Sequence, residues 1–177
     1  ARCYHRYAMQ GDELALYRAD QSTKNLLKLD KRNVEALAIA GSLLTIKARR
    51  SGSLLKRIWY SVFAARKLDK AVKADPNNVT ARTIRAFTAL VLPGFLRRLQ
   101  TAVGDFEYLI KMKCEDPSRL PDEMMPKVYL NLGLAYAKLR DRERAKQILT
   151  FVVDSYPGTG EHNRAKSLLG KLADRGW

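Results

Sequence analysis

Small and apolar residues recur at helical spacing along this chain, and in Pro126–Thr159 (PKVYLNLGLAYAKLRDRERAKQILTFVVDSYPGT) they do so twice in close succession. Tyr129, Leu132, Gly133 and Tyr136 fall at i, i+3, i+4 and i+7, one face of a 3.6-residue period. Gly133 sits in the middle of that helix, where glycine costs up to about 1 kcal/mol against alanine. The cost makes sense if a second helix must pack close against the backbone. Ala145, Leu149 and Val152 then mark one face of a following helix, which Pro157 and Gly158 end. No period-two pattern of a strand competes.

A second regularity lies upstream. Leu29–Gly41 (LDKRNVEALAIAG) returns as Ala74–Ala86 (ADPNNVTARTIRA) at an offset of 45 residues, which puts Gly41 and Ala86 in the place of Gly133. Ala64, Leu68, Ala71 and Pro76 line up with Ala145, Leu149, Val152 and Pro157. Gly41 to Pro76 spans 35 residues against 24 from Gly133 to Pro157, so the earlier unit carries eleven extra residues between its helices. The next unit is also long: Val79 to Val91, Pro93-Gly94, then Phe95 to Met112 with Ala102, Phe106 and Leu109 inward, closed by Pro117 to Pro121. At the start, Arg2 to Gln10 reads as a short helix broken at Gly11-Asp12. Asp12 caps a helix from Glu13 to Leu29 expected to bury Leu14, Tyr17, Leu26 and Leu27.

The order Tyr129, Leu132, Gly133, Tyr136, Ala145, Leu149, Val152, Pro157 resembles one tetratricopeptide (TPR) repeat, with Leu149 where that family usually has Phe and Val152 where it usually has Ala. The resemblance implies an all-α chain, a right-handed superhelical solenoid of about nine antiparallel helices. Its approximate units are 1–33, 34–78, 79–121 and 126–159, with a capping helix at 160–177. It also implies that the first helix of each unit lines a groove for a protein or peptide. By register that groove holds Ala38, Ser42 and Ile46, then Thr83, Phe87, Leu90 and Val91, then Lys127, Leu130, Asn131, Leu134 and Lys138. The TPR subclass that clamps a C-terminal carboxylate uses Lys, Asn and Arg on these faces. Here only Lys127 and Asn131 fit, and Ala38, Ser42, Thr83 and Phe87 depart from it. The groove is apolar at its centre, suited to an apolar peptide or helix, unless neighbouring helices or a second copy of the chain fill it. The ending VVDSYPGTGEHNRAKSLLGKL resembles repeat edges of bacterial cell-envelope TPR proteins, which leans the compartment that way, with the cytoplasm as the alternative.

Charge gives a separate constraint. The chain carries 33 Lys and Arg against 18 Asp and Glu, a net +15. From Thr45 to Gly104 there are thirteen basic residues and two acids, so most of the excess sits in one block. Such a block matches an acidic counterpart: an anionic membrane, an acidic protein surface or a nucleic acid. Within it, Arg49–Tyr60 and Leu90–Leu99 set Arg49, Arg50, Lys56, Arg57, Arg97 and Arg98 beside Leu, Phe and Trp. Both segments fall between the two helices of a repeat and are expected on one edge. Basic residues beside exposed apolar ones suit a membrane interface. The plainer expectation is that Leu54, Leu55, Ile58, Phe95 and Leu96 extend two helices and bury in the core. Trp59, Tyr60 and Phe95 among these cations also allow stacking on bases, the third reading.

No phosphate loop, nucleophile motif or isolated carboxylate pair stands out, so the expectation is a non-enzymatic module with no cofactor. Asp122-Glu123 reads as first-turn acids favoured by a helix dipole. His5 and His162 have no clustered ligands, so no metal site is expected. Cys3 and Cys114 are too few to argue a disulfide, and the acidic neighbours Glu115 and Asp116 do not favour a thiolate at Cys114. No apolar run approaches a membrane span, and residues 1–30 hold no signal-peptide core. The first residue is Ala1, which leaves a removed leader open.

Overall fold

The computed structural model describes residues 1–174, and these are all-α, with nine α-helices and no strand among the described residues. The chain divides into two compact units, Ala1–Leu96 and Arg97–Trp177. The division falls inside the segment 79–121 that reads as one repeat.

The first unit contains α1 (Arg2–Met9), α2 (Glu13–Leu29), α3 (Val34–Arg50), α4 (Leu54–Ala74) and α5 (Val79–Ala89), followed by a 3-10 turn at Gly94–Leu96. The starts of α2, α3 and α5 are fixed locally. Asp12 accepts from the Ala15 N–H at 2.9 Å, and Asn33 and Asn78 accept from Ala36 and Ala81 at 3.0 Å each. These are the N-caps that satisfy amides left over at a first turn. The repeat at a 45-residue offset is therefore a repeated turn as well as a repeated sequence. Asp30 and Asp75 end α2 and α4 with nearly the same backbone angles and accept from the amides of Arg32 (2.8 Å) and Asn77 (3.0 Å).

Packing in this unit follows small residues. A Cβ on Gly41 would stand 2.6 Å from Leu68 Cγ and 3.1 Å from the Ala64 carbonyl oxygen, so α3 and α4 cross at a distance only glycine permits. On α2 the buried residues are Ala15, Ala19 and Thr23, spaced four apart. The expectation that Leu14, Tyr17 and Leu26 are buried is wrong: they are 57%, 62% and 39% exposed, and only Leu27 is half-buried. The small stripe lets α2 come close to α1 and α3, and Ala8, Ala15 and Ala19 pack with Ile39, Leu43 and Ile46. A second cluster joins Leu37 and Ala38 to Leu68, Ala71, Val72 and Ala81.

The second unit contains α6 (Leu99–Glu115), α7 (Met125–Lys138), α8 (Arg142–Ser155) and α9 (Gly160–Asp174). The expected inward residues Ala102, Phe106 and Leu109 are fully buried, as are Ala145, Leu149 and Val152. α6 begins at Leu99 rather than Phe95, and α5 stops at Ala89 rather than Val91, because Pro93-Gly94 and its flanks form turns instead of helix. Lys113 pins the following connection, reaching the Pro117 carbonyl at 2.6 Å, the Leu120 carbonyl at 2.7 Å and the Asp122 carboxylate at 2.6 Å. Asp122 itself lies in a 3-10 turn that runs into α7. Across the α7–α8 crossing, a Cβ on Gly133 would meet Leu149 Cδ2 and Cγ at 2.8 Å. α9 covers this hairpin, with Ala165 fully buried and Leu168, Leu169 and Leu172 packed against Leu130, Leu149 and Val152. The last three residues of the expected capping helix, 175–177, lie outside the described residues.

Candidate functional site

Several of the groove positions expected from register are buried. Ser42 is buried beneath α1, where its hydroxyl lies 2.8 Å from His5 Nε2 and 3.7 Å from Met9 Sδ. Burial pushes the His5 pKa below its ordinary value. Ala38 is buried against α4 and α5, and Ile46 sits in the cluster with α1 and α2. Leu130 is core, covered by α8 and α9, and Leu90 is buried. Phe87 and Thr83 are half-buried, and the Thr83 hydroxyl is shut off from solvent without a hydrogen-bond partner. For Ala38, Ser42, Ile46 and Leu130 the reason is that neighbouring helices of the same unit pack on the face that register assigns to the groove. On α7, Lys127 and Lys138 are exposed, Leu134 is half-buried, and Asn131 donates back to the Lys127 carbonyl at 2.7 Å.

The two basic–apolar segments combine parts of both expectations: their apolar residues are exposed beside the cations, and the first segment extends two helices. The eleven extra residues of the first are helix rather than a loop: α3 and α4 are extended, joined only by Ser51–Ser53. They do not bury. Leu54 is 67% exposed, Leu55 79%, Ile58 37%, Trp59 52% and Phe95 60%, which corrects the expectation that they join the core. Leu96 alone is half-buried.

Leu54, Ile58 and Phe95, distant in sequence, share one pocket. It measures about 370 Å³ and lies between the end of α3, the start of α4 and the turn after α5. Thr45, Ala48 and Ser61 are its buried lining, and Leu54, Ile58, Val91, Leu92, Pro93 and Phe95 add apolar wall. The Thr45 hydroxyl is occupied with the Gly41 carbonyl at 3.2 Å. The turn is shaped by amides of Val91 and Leu92 donating to the Thr88 carbonyl (3.0 and 3.2 Å) and by Leu96 donating to Pro93 (3.0 Å). Arg49 and Arg57 line the same pocket. Both are exposed, and among the described residues neither has a carboxylate partner.

No family model, curated protein or solved structure matches this chain.

A larger pocket nearby, about 520 Å³, also holds cations, Lys47, Arg50 and Lys56, but it carries Glu13 and Asp20 with them. Asp20 is paired with Lys47 at 2.9 Å and Lys24 at 2.8 Å. Arg50 is tied to the Gly11 carbonyl at 2.6 Å and lies 4.0 Å from Glu13. Lys47 and Arg50 of the larger pocket are thus held by partners within the unit, whereas Arg49 and Arg57 of the smaller one have no carboxylate partner among the described residues. The helix ends sharpen the contrast. Lys47, Arg49 and Arg50 in the last turn of α3 complement its dipole, whereas Lys56 and Arg57 stand in the first turn of α4, which has no acid. Two cations at a helix start are held against the local field, a placement that an external anion would relieve.

Arg97 and Arg98, the remaining expected basic residues, belong to the second unit. Arg97 is exposed, with φ at 49° in the left-handed region, and Arg98 is half-buried. Trp59 packs on Phe63 (centroids 4.3 Å) and edge-on to Tyr60 (5.3 Å), so its faces are partly used within α4. Cys3 and Cys114 are exposed free thiols. Among the described residues no group of three His, Cys, Asp or Glu is placed to hold a metal ion, and no helix is long and apolar enough to cross a membrane. Sequence reasoning named Arg49, Arg57, Leu54, Ile58 and Phe95 but missed Thr45, Ala48 and Ser61. Their only sequence signal is small size on the inner faces of α3 and α4.

Proposed function

We propose that this chain is a non-enzymatic docking scaffold of TPR-like hairpins whose working face is the basic–apolar end of the first unit, and that its counterpart is an anionic membrane surface. The observation that supports this reading most is the exposure of Leu54, Leu55, Trp59 and Phe95 beside Arg49, Lys56 and Arg57. A soluble hairpin gains nothing from solvated leucines, whereas at a lipid interface apolar side chains enter the headgroup boundary while Lys and Arg meet lipid charge. Each basic residue near anionic lipid adds about 1 kcal/mol, and the effect falls with salt. A bacterial cell-envelope setting, suggested by the resemblance of the C-terminal segment, is compatible with this.

Co-sedimentation with vesicles of anionic and of neutral lipid, across a salt series, tests it. Pelleting with anionic vesicles that weakens as salt rises, and that Leu55→Asp or Arg49→Glu/Arg57→Glu abolishes, supports the reading. Absence of pelleting at low salt refutes it. A second reading, binding of a protein or peptide, is favoured by α7, where Lys127, Leu134 and Lys138 keep accessible surface. Leu134→Asp separates the two, since it leaves vesicle binding unchanged and weakens a peptide held on α7. Nucleic acid ranks below both because Trp59 is already packed on neighbouring rings.

A further inference from the structure

We propose that the pocket lined by Arg49 and Arg57 binds a single aliphatic chain that ends in a carboxylate or phosphate. The chain lies along Leu54, Ile58 and Phe95, with the head group against the two guanidiniums. The inference rests on the membrane reading for its biological source but stands on its own geometry. About 370 Å³ is room for on the order of ten water-sized groups at about 30 Å³ each, and a methylene is of that size. The size therefore matches one chain of roughly eight to ten carbons rather than a diacyl lipid. The inner lining offers little competition for an apolar guest: Ala48 is apolar, and the Thr45 hydroxyl is turned to its own helix. Arg49 and Arg57 have no internal anion to neutralise them, in contrast to Arg50 and Lys47 next to them. Guanidinium groups pair with carboxylate and phosphate oxygens in planar, two-bond fashion, which is the head group this mouth selects.

The probe is n-decyl phosphate, titrated calorimetrically below its micellar concentration into the full chain, with inorganic phosphate and decanol as the two halves of the ligand. The expected result is saturable one-to-one binding of decyl phosphate, octyl phosphate about fifteenfold weaker, and no saturation by inorganic phosphate. The chain-length step follows from roughly fourfold per buried methylene. Arg49→Gln/Arg57→Gln lowers decyl phosphate affinity about tenfold or more and leaves decanol unchanged. Val91→Trp fills the mouth from an exposed position without touching the core, and it removes binding of both decyl phosphate and decanol. Circular dichroism confirms that each variant is folded. No saturable binding of decyl phosphate, or binding indifferent to both variants, overturns the proposal. So does an acidic leucine-bearing peptide that competes at this pocket with higher affinity than decyl phosphate. Vesicle binding without decyl phosphate binding overturns the pocket and leaves the membrane reading. Decyl phosphate binding without vesicle binding supports the pocket, overturns the membrane reading and makes the source a free amphiphile.

Discussion

In the α3–α4 hairpin Gly41 faces Leu68 across the crossing, and in the α7–α8 hairpin Gly133 faces Leu149 in the same way. Both hairpins turn through three residues, Ser51–Ser53 and Leu139–Asp141. They differ beyond the crossing. α3 runs four residues further past its glycine than α7 does, and α4 starts seven residues further ahead of its leucine than α8. All eleven extra residues are helical, and the extension on α4 is largely solvated. The α7–α8 hairpin shows that the crossing is stable in form without such an extension. The added turns are therefore not needed for the crossing itself, and the start of α4, with Leu54, Leu55, Trp59, Lys56 and Arg57, is the face proposed above for docking.

The sharpest way to break the comparison is to remove its central contact. Leu68→Ala and Leu149→Ala each delete a fully buried side chain and are expected to cost about 2–5 kcal/mol in denaturant unfolding. A much smaller loss in one hairpin would show that the two crossings are not equivalent. Gly41→Ala comes next, at about 1–3 kcal/mol from overpacking, partly offset by up to about 1 kcal/mol of helix propensity. Gly133→Ala is expected to cost less. Only side-chain atoms, of Leu149 and Ile148, oppose its new Cβ, whereas Gly41 also faces the Ala64 carbonyl, which cannot rotate away. Equal midpoints for the two variants would contradict that ranking.

pH separates the units. His5, half-buried against Ser42, has a pKa held below 6.5 by burial, so its neutral form is favoured in the folded state. Its contribution is fully present above 6.5 and is lost as pH falls through the lower folded value. Acidification below 6.5 is expected to lower the amide protection factors of α1 and α3, after correction for the intrinsic exchange rate, while the α7–α8 hairpin is unaffected by this group, and His5→Gln removes the difference. The smallest effect on stability is expected from Leu54→Ser/Leu55→Ser, within about 0.5 kcal/mol per site, because both side chains are already in water. The same variant is expected to lose vesicle binding. A large destabilisation would instead give the extension a packing role and remove the basis of the comparison.

Much of the helical framework was legible because it is set within a few residues. The stretch Glu13–Leu29 followed from Asp12 and the apolar period, and the matching turns at Asp30 and Asp75 followed from the repeated motif. Gly133 and Gly41 pointed to close crossings because a mid-helix glycine needs a reason. The site was less legible. Its cations and exposed apolar residues were named, but their meeting was not, since Arg49 and Phe95 are brought together only by the packing of α3, α4 and α5.

What the sequence by itself determined is therefore the all-α class, the caps, the turns and the two glycine crossings. Each depends on local hydrogen bonding or on the presence of a Cβ. Tertiary structure alone decided which stripe of each helix is used. α2 carries both a leucine–tyrosine stripe and an Ala15, Ala19, Thr23 stripe, and periodicity cannot choose between them. Close approach by α1 and α3 selected the smaller one. Other helices, each within its own unit, likewise buried Ala38, Ser42 and Leu130, and the start of α4 was left exposed. Burial is a property of what surrounds a residue, and those neighbours lie too far along the chain for its own pattern to name.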